Sequence, residues 1–229
     1  MTKPTKILIC GHSHCGTSIL KSIIGHIKDV EEIVNECSYI SKSTNKKYIL
    51  CKWPHADYKF FDDKEYKDYI KIFIIRNPLF VFSSINKRYG HYKLTKNQSI
   101  EGYVNILKMF IKYKNNPEKN IYTIRYEDMF QNNYEELKKI LDVIGFQYDD
   151  SIFDNSNYTN SIIKGVKLVN KKPENKRHGY YRTWQINQPF VSNNDISKID
   201  LSNDQKKIII NNSYILQVYP DINSVFINR

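Results

Sequence analysis

The stretch Lys6–Leu20, KILICGHSHCGTSIL, constrains the fold more than any other part of the chain. Its β-branched, apolar run from Ile7 to Cys10 reads as a buried parallel strand. Gly11 follows, then Gly16, Thr17 and Ser18 after a gap of four residues. Beyond them Ile19, Leu20, Ile23, Ile24 and Ile27 fall at helical spacing, which predicts a helix over Thr17–Ile27. A strand, a glycine loop and a helix in that order present backbone N–H groups and a helix N-terminus to an anion. The frame is that of the phosphate loop G-x-x-x-x-G-K-[ST], with Thr17 where lysine would stand. That lysine reaches the outer phosphates of a nucleoside triphosphate, and the sequence offers no acidic strand end suited to magnesium. Triphosphate hydrolysis is therefore disfavoured, and the loop is built for another phosphate.

The remaining chain repeats the alternation. Glu32–Asn35 and Tyr48–Lys52 read as short strands, and Ile70–Ile75, IKIFII, as the strongest strand of all. Asn77-Pro78 opens a helix to about Tyr89, with proline in its first turn. Ile100–Tyr113 is a further amphipathic helix, and Asn120–Tyr126 a further strand. A helix over NNYEELKKILDVIG places Leu137, Ile140, Leu141 and Ile144 on one face, with Gly145 as its C-cap. Residues 150–191 are rich in Asn, Lys and Tyr, show no periodicity and read as a long functional or mobile loop. A last helix is expected over Ser202–Val218. The pattern predicts an α/β fold in three layers, a parallel sheet flanked by helices. It fits a single domain over residues 1–229, long enough to bury a real core.

Charge narrows the partners. A net charge of +11 raises nucleic acid, phosphorylated cofactors and acidic glycans as candidates. The basic residues are scattered, however, and only Asn170–His178, NKKPENKRH, is dense, so nucleic acid is not expected. Cys10, Cys15, Cys37 and Cys51 form neither a C-x-x-C pair nor a zinc spacing, and no metal site is expected. The run after Thr2–Lys6 is too short for a secretory leader, and no apolar stretch approaches a membrane span. A cytoplasmic location with reduced thiols is the expectation.

Three further segments carry chemistry. In IFIIRNPLFVFSSINKRYG, Arg76 ends the strongest strand and Ser84 lies eight positions on, about two helical turns along. An arginine there can clamp a phosphate bidentately, with the serine hydroxyl in support. In IYTIRYEDMF, Tyr126 is followed by Glu127-Asp128, an acidic pair that also suits ordinary helix capping. In RHGYYRTW, Arg177 and Gly179 offer a cation and open backbone, with Trp184 as an anchor.

Taken together, these segments resemble the sulfotransferases that use 3′-phosphoadenosine 5′-phosphosulfate. Ser13–Ser18 lies where the family has P-[KR]-S-G-T-[TS]. Arg76-Asn77-Pro78 with Ser84 matches R-[ND]-P and its later serine. Tyr126–Met129 matches Y-E-D-[LM], and Arg177, Gly179 and Trp184 match R-K-G-x-x-x-x-W. The four motifs occur in the family's order over most of the chain. The resemblance implies a P-loop NTPase-like fold and metal-free sulfuryl transfer to a hydroxyl or amine of a glycan, small molecule or peptide, leaving 3′-phosphoadenosine 5′-phosphate. It implies that His14, Cys15, Gly16, Thr17 and Ser18 hold the 5′-phosphosulfate. Arg76, Ser84 and the Arg177-His178-Gly179 segment would hold the 3′-phosphate, with Tyr126 near the adenosine.

Two positions depart from the family. His14 stands where it has a lysine or arginine that neutralises the bridging oxygen; a neutral imidazole would not. Ile19 stands where an aromatic often stacks on adenine. Sulfuryl transfer also needs a base for the acceptor proton. His55 in CKWPH, beside Lys52, resembles the K-x-H of cytosolic members with one extra residue. Glu36 in IVNECSY lies where Golgi-type and tyrosylprotein members carry a catalytic glutamate. Both stand as candidates, with His55 slightly ahead because Lys52 beside it could bind the transferring group. A nucleotide-binding protein without turnover and a P-loop small-molecule kinase are the alternative functions.

Overall fold

The computed structural model describes residues 3–33, 35–54, 61–89, 98–114, 116, 120–154 and 195–223. Continuous β-branched runs need apolar cover on both faces, and a parallel sheet between helices supplies it. Strand β1 (Thr5–Gly11) pairs in parallel with β3 (Tyr48–Trp53) on one side and β4 (Ile70–Ile75) on the other. Strands β2 (Val30–Glu32) and β5 (Ile121–Arg125) extend the sheet to the order β2-β3-β1-β4-β5, parallel throughout.

Seven helices follow in chain order among the described residues: α1 (Thr17–Gly25), α2 (Pro78–Tyr89), α3 (Ile100–Tyr113), α4 (Tyr126–Met129), α5 (Glu135–Ile144), α6 (Asn203–Ile210) and α7 (Ser213–Val218). Strand parity divides the core between two layers. Ile7, Ile9, Leu50, Ile72 and Ile74 pack with residues of α1 and α5. Leu8, Cys10, Ile49, Cys51, Phe73 and Ile75 pack with α2, α3, α6 and α7. Each of these strand side chains is fully buried, and burial of an Ile, Leu or Phe contributes roughly 1.5–3 kcal/mol.

This topology locates a crevice. The chain leaves β1 through α1 on one face of the sheet and leaves β4 through α2 on the other. Their two loops part at the carboxyl ends of adjacent strands, where ligands of open α/β sheets bind.

Helix α1 ends at Gly25 rather than Ile27, and β1 and β3 extend beyond their expected runs; the larger differences lie elsewhere. Strand β2 lies at Val30–Glu32 rather than Glu32–Asn35. Its ladder to β3 ends when Ile33 N–H donates to Leu50 O at 2.8 Å. The Lys21 ammonium, 2% exposed, draws Glu32 toward α1 through a 2.7 Å ion pair. Tyr126 is not the end of β5 but the first residue of α4. Helix α5 begins three residues later than its sequence suggests, because Asn132, Asn133 and Tyr134 all have positive φ. Asparagine tolerates that region better than most residues. The expected last helix is two helices, broken at Asn211-Asn212. The Asn212 side chain accepts from the amides of Tyr214 and Ile215, so it starts a new helix instead of continuing the old one. Of the long segment expected over 150–191, residues 150–154 are described and carry a 3-10 turn over Asp150–Phe153; the rest lies outside the described residues. Among the described residues, no helix is long and apolar enough to cross a membrane.

Candidate functional site

The loop after β1 is shaped by two glycines. A Cβ on Gly11 would lie 2.3 Å from the Ile74 carbonyl oxygen, so glycine is what lets β1 approach β4 at their carboxyl ends. Gly16 adopts φ 93° and ψ 13° as the N-cap of α1. A Cβ there would lie 2.5 Å from Tyr126 Cδ2, so the loop passes directly against that ring. No side chain caps α1. Its N-terminus thus keeps the unsatisfied, partly positive amides that suit an anion.

Between the glycines, His12 is fully buried and lies edge-on to Tyr103, with ring centroids 5.4 Å apart. Cys15 is also buried, and its amide donates to His12 O at 3.1 Å to close a turn. Burial pushes the Cys15 thiol up to about 12, so it stays protonated at neutral pH. Thr17 is buried, whereas Ser18 presents its hydroxyl to Lys52.

The second wall of the crevice comes from β4 and α2. The Arg76 guanidinium lies 4.3 Å from the centre of the Tyr126 ring, a cation–π stack that fixes the plane of the fork. Its Nη1 makes a long contact of 3.5 Å to His14 O across the crevice. Two turns into α2, Ser84 Oγ shares a 2.8 Å hydrogen bond with His14 Nδ1. His14 itself sits at φ 67°, a strained region for a non-glycine residue. His14, Gly16, Arg76, Ser84 and Tyr126, drawn from three separate segments, therefore meet at one place.

The third component lies at the end of β3. Parity turns Lys52 toward the α1 face, the side on which Leu50 also packs. The Lys52 ammonium donates to Ser18 Oγ at 2.9 Å and to Glu36 Oε1 at 2.7 Å. Its side chain is 5% exposed and that of Glu36 is 31% exposed. A buried ammonium held by a carboxylate and a loop hydroxyl can serve an incoming anion, and the half-open carboxylate can accept a proton.

Two further supporting residues, Tyr103 and Tyr219, were not singled out in the sequence, and they act together with Glu127. Tyr103 OH donates to Arg76 O at 2.5 Å. The Asn77 amide donates to Glu127 Oε1 at 2.8 Å, and Tyr219 OH to Glu127 Oε2 at 3.4 Å. Together they fix the β4–α2 turn that carries Arg76. Burial holds the Glu127 carboxyl above the usual carboxylate range, opposed by the Asn77 amide. The same burial raises the Tyr103 and Tyr219 phenols well above their ordinary value. The Y-E-D-M sequence pointed at Glu127, although capping was the plainer reading; nothing local marked Tyr103 or Tyr219. Asp128 forms a paired contact with Arg125, at 2.6 and 2.8 Å. His55, Arg177, His178, Gly179 and Trp184 lie outside the described residues. Among the described residues, no cluster of three or more His, Cys, Asp or Glu side chains could hold a metal ion.

A family model described as "Sulfotransferase domain" matches residues 54–206. Among solved structures, mouse sulfotransferase SULT7A1 complexed with PAP aligns with a TM-score of 0.56 at 17% identity, covering 100% of this chain and 87% of the other. The sulfotransferase domain from the curacin biosynthetic pathway aligns with a TM-score of 0.54 at 11% identity, covering 98% of each chain. At these identities the likeness is one of fold. No curated protein matches by sequence.

Proposed function

The chain belongs to the sulfotransferase family, a transferase of the corresponding α/β fold, and on that premise we propose that its sulfuryl donor is 3′-phosphoadenosine 5′-phosphosulfate. The acceptor is a hydroxyl or amine of a glycan or small molecule. The observation that carries this reading is the Ser18–Lys52–Glu36 chain of contacts. It ends at an uncapped helix start, on the loop whose His14 carbonyl meets the stacked Arg76. The mouse structure with PAP supports the same donor class.

The donor supplies an activated sulfuryl group, bonded through a bridging oxygen to a phosphate. In the reaction that S–O bond breaks, a new bond forms from sulfur to the acceptor oxygen or nitrogen, and the acceptor loses a proton. The α1 amides, Gly16, Thr17 and Ser18 would hold the 5′-phosphate, while Arg76 and Ser84 would hold the 3′-phosphate. Lys52 would meet the charge that develops on the bridging oxygen, supported by His14. Glu36 would take the acceptor proton; its contact with Lys52 places it ahead of His55 in this reading.

Calorimetric titration with 3′-phosphoadenosine 5′-phosphate, without magnesium and beside Mg-ATP, tests the donor assignment. Tight, metal-independent binding of the bisphosphate is expected. A preference for Mg-ATP would overturn the assignment in favour of a kinase. Binding without turnover across an acceptor panel would favour a nucleotide-binding protein, with His14→Lys the first variant to test for gained turnover.

A further inference from the structure

Lys52 and Glu36 each have a cysteine as chain neighbour, Cys51 and Cys37. The two sulfurs lie 2.6 Å apart, although the residues are 14 positions apart in sequence. A disulfide bond is about 2.05 Å long, so closure needs a shift of roughly half an ångström. We propose that Cys37 and Cys51 form a reversible dithiol–disulfide pair, a redox modification site built against the Glu36–Lys52 contact. This goes beyond the sulfuryl-transfer reading and does not depend on it.

The backbone already holds both partners in place. Cys37 N–H donates to Lys52 O at 3.3 Å and approaches Cys51 Sγ at 3.2 Å. The Cys51 thiol donates to Asn35 O at 3.3 Å. The segment that follows β2 is thus pinned along the end of β3, and forming the bond moves two side chains rather than a strand. Accessibility separates the roles. Cys10, Cys15 and Cys51 are buried, and Cys37 is the partly exposed member of the four. Burial and the contact with Cys37 push the Cys51 thiol up to about 12, so it retains its proton at neutral pH.

The chemistry balances with hydrogen peroxide as oxidant. The Cys37 thiolate attacks one peroxide oxygen, the O–O bond breaks, and hydroxide leaves to take up a proton. That gives a sulfenic acid at Cys37. Cys51 sulfur then attacks Cys37 sulfur, the S–O bond breaks, and the Cys51 proton departs with the hydroxyl as water. Two thiols lose two electrons, and one peroxide becomes two waters. A thiol reductant reverses the bond by exchange.

The test uses the full chain. Native protein is treated with hydrogen peroxide, denatured, alkylated and mapped by mass spectrometry, with and without a thiol reductant. The expected result is a reductant-sensitive crosslink between the peptides carrying Cys37 and Cys51, with Cys10 and Cys15 fully alkylated. In Cys51→Ala, a sulfenic-acid trap should label Cys37. If that variant fails to fold, the wild-type map decides alone. The proposal is overturned if both thiols are alkylated after oxidation, if Cys37 goes to sulfinic acid without a crosslink, or if the crosslink joins another pair.

Discussion

Arg76→Ala is the sharpest test of how this crevice would read a nucleotide. The guanidinium is oriented by its stack on Tyr126, and its backbone carbonyl is held by Tyr103, so the fork is set before any ligand arrives. Hydrogen bonds to charged groups contribute about 1.5–3 kcal/mol each. Two such bonds to one phosphate, taken near the lower bound because water replaces them in the variant, give about 3 kcal/mol, or roughly 10²-fold in Kd. The loss should fall only on ligands with a 3′-phosphate. We expect 3′-phosphoadenosine 5′-phosphate to bind about 10²-fold more weakly to the variant, and adenosine 5′-phosphate within about threefold of wild type. Arg76→Lys keeps the charge but lacks the planar fork and the stack, so its affinity should lie between the two. The lost stack removes about 0.5–2 kcal/mol of stability at most, which a urea midpoint checks before titration. Equal losses for both nucleotides would show that Arg76 supports the loop rather than reading the 3′-phosphate.

Gly16→Ala introduces a Cβ 2.5 Å from the Tyr126 ring at φ 93°, and should destabilise the fold by about 1–3 kcal/mol in urea unfolding. Combined with Tyr126→Leu, the loss should be smaller than the sum of the single losses; strict additivity would refute the contact. Glu36→Gln leaves an oxygen for Lys52, so bisphosphate affinity should hold while kcat on any acceptor that turns over falls about 10²–10⁴-fold. A full rate in Glu36→Gln with loss in His55→Ala would instead assign the base to His55. Glu127 has its pKa raised in the folded state, so between the ordinary and raised values the native protein binds more protons than the unfolded chain. Stability should therefore fall as pH rises through that window, and the stability difference should move in favour of Glu127→Gln before levelling off above it. A difference independent of pH would contradict the burial of this carboxylate.

What the sequence disclosed about the fold follows from its periodicities. Ile70–Ile75 is apolar except for the buried Lys71 because both of its faces are covered, and the structure reproduces that strand at both ends. Ile100–Tyr113 has one apolar face and a Ser99 cap that accepts from Gly102, and it too is found where the pattern puts it. Three of the shifted boundaries share one cause. At Asn132-Asn133, Asn211-Asn212 and Tyr126, hydrogen bonding or backbone conformation over a few residues decides the boundary. Helical or strand periodicity continues across such a point without registering it.

The site was legible to the extent that its residues sit at the ends of recognisable strands. Arg76 follows directly from that rule, and Ser18 from the glycine loop that links β1 to α1. The Lys52–Glu36 contact does not, because it joins residues 16 apart whose meeting depends on where β2 stops and how β3 pairs with β1. Parity then dictates what else can be built there. Ile9 lies opposite Lys52 in the ladder, and Lys52 shares the α1 face with Tyr48 and Leu50. Cys51 must then turn to the other face with Ile49, where Cys37 also packs. The ion pair and the thiol pair are consequently stacked across one strand end, with Glu36-Cys37 and Cys51-Lys52 each contributing one residue to either side. A single-residue slip of β3 would exchange the faces and break both pairs at once.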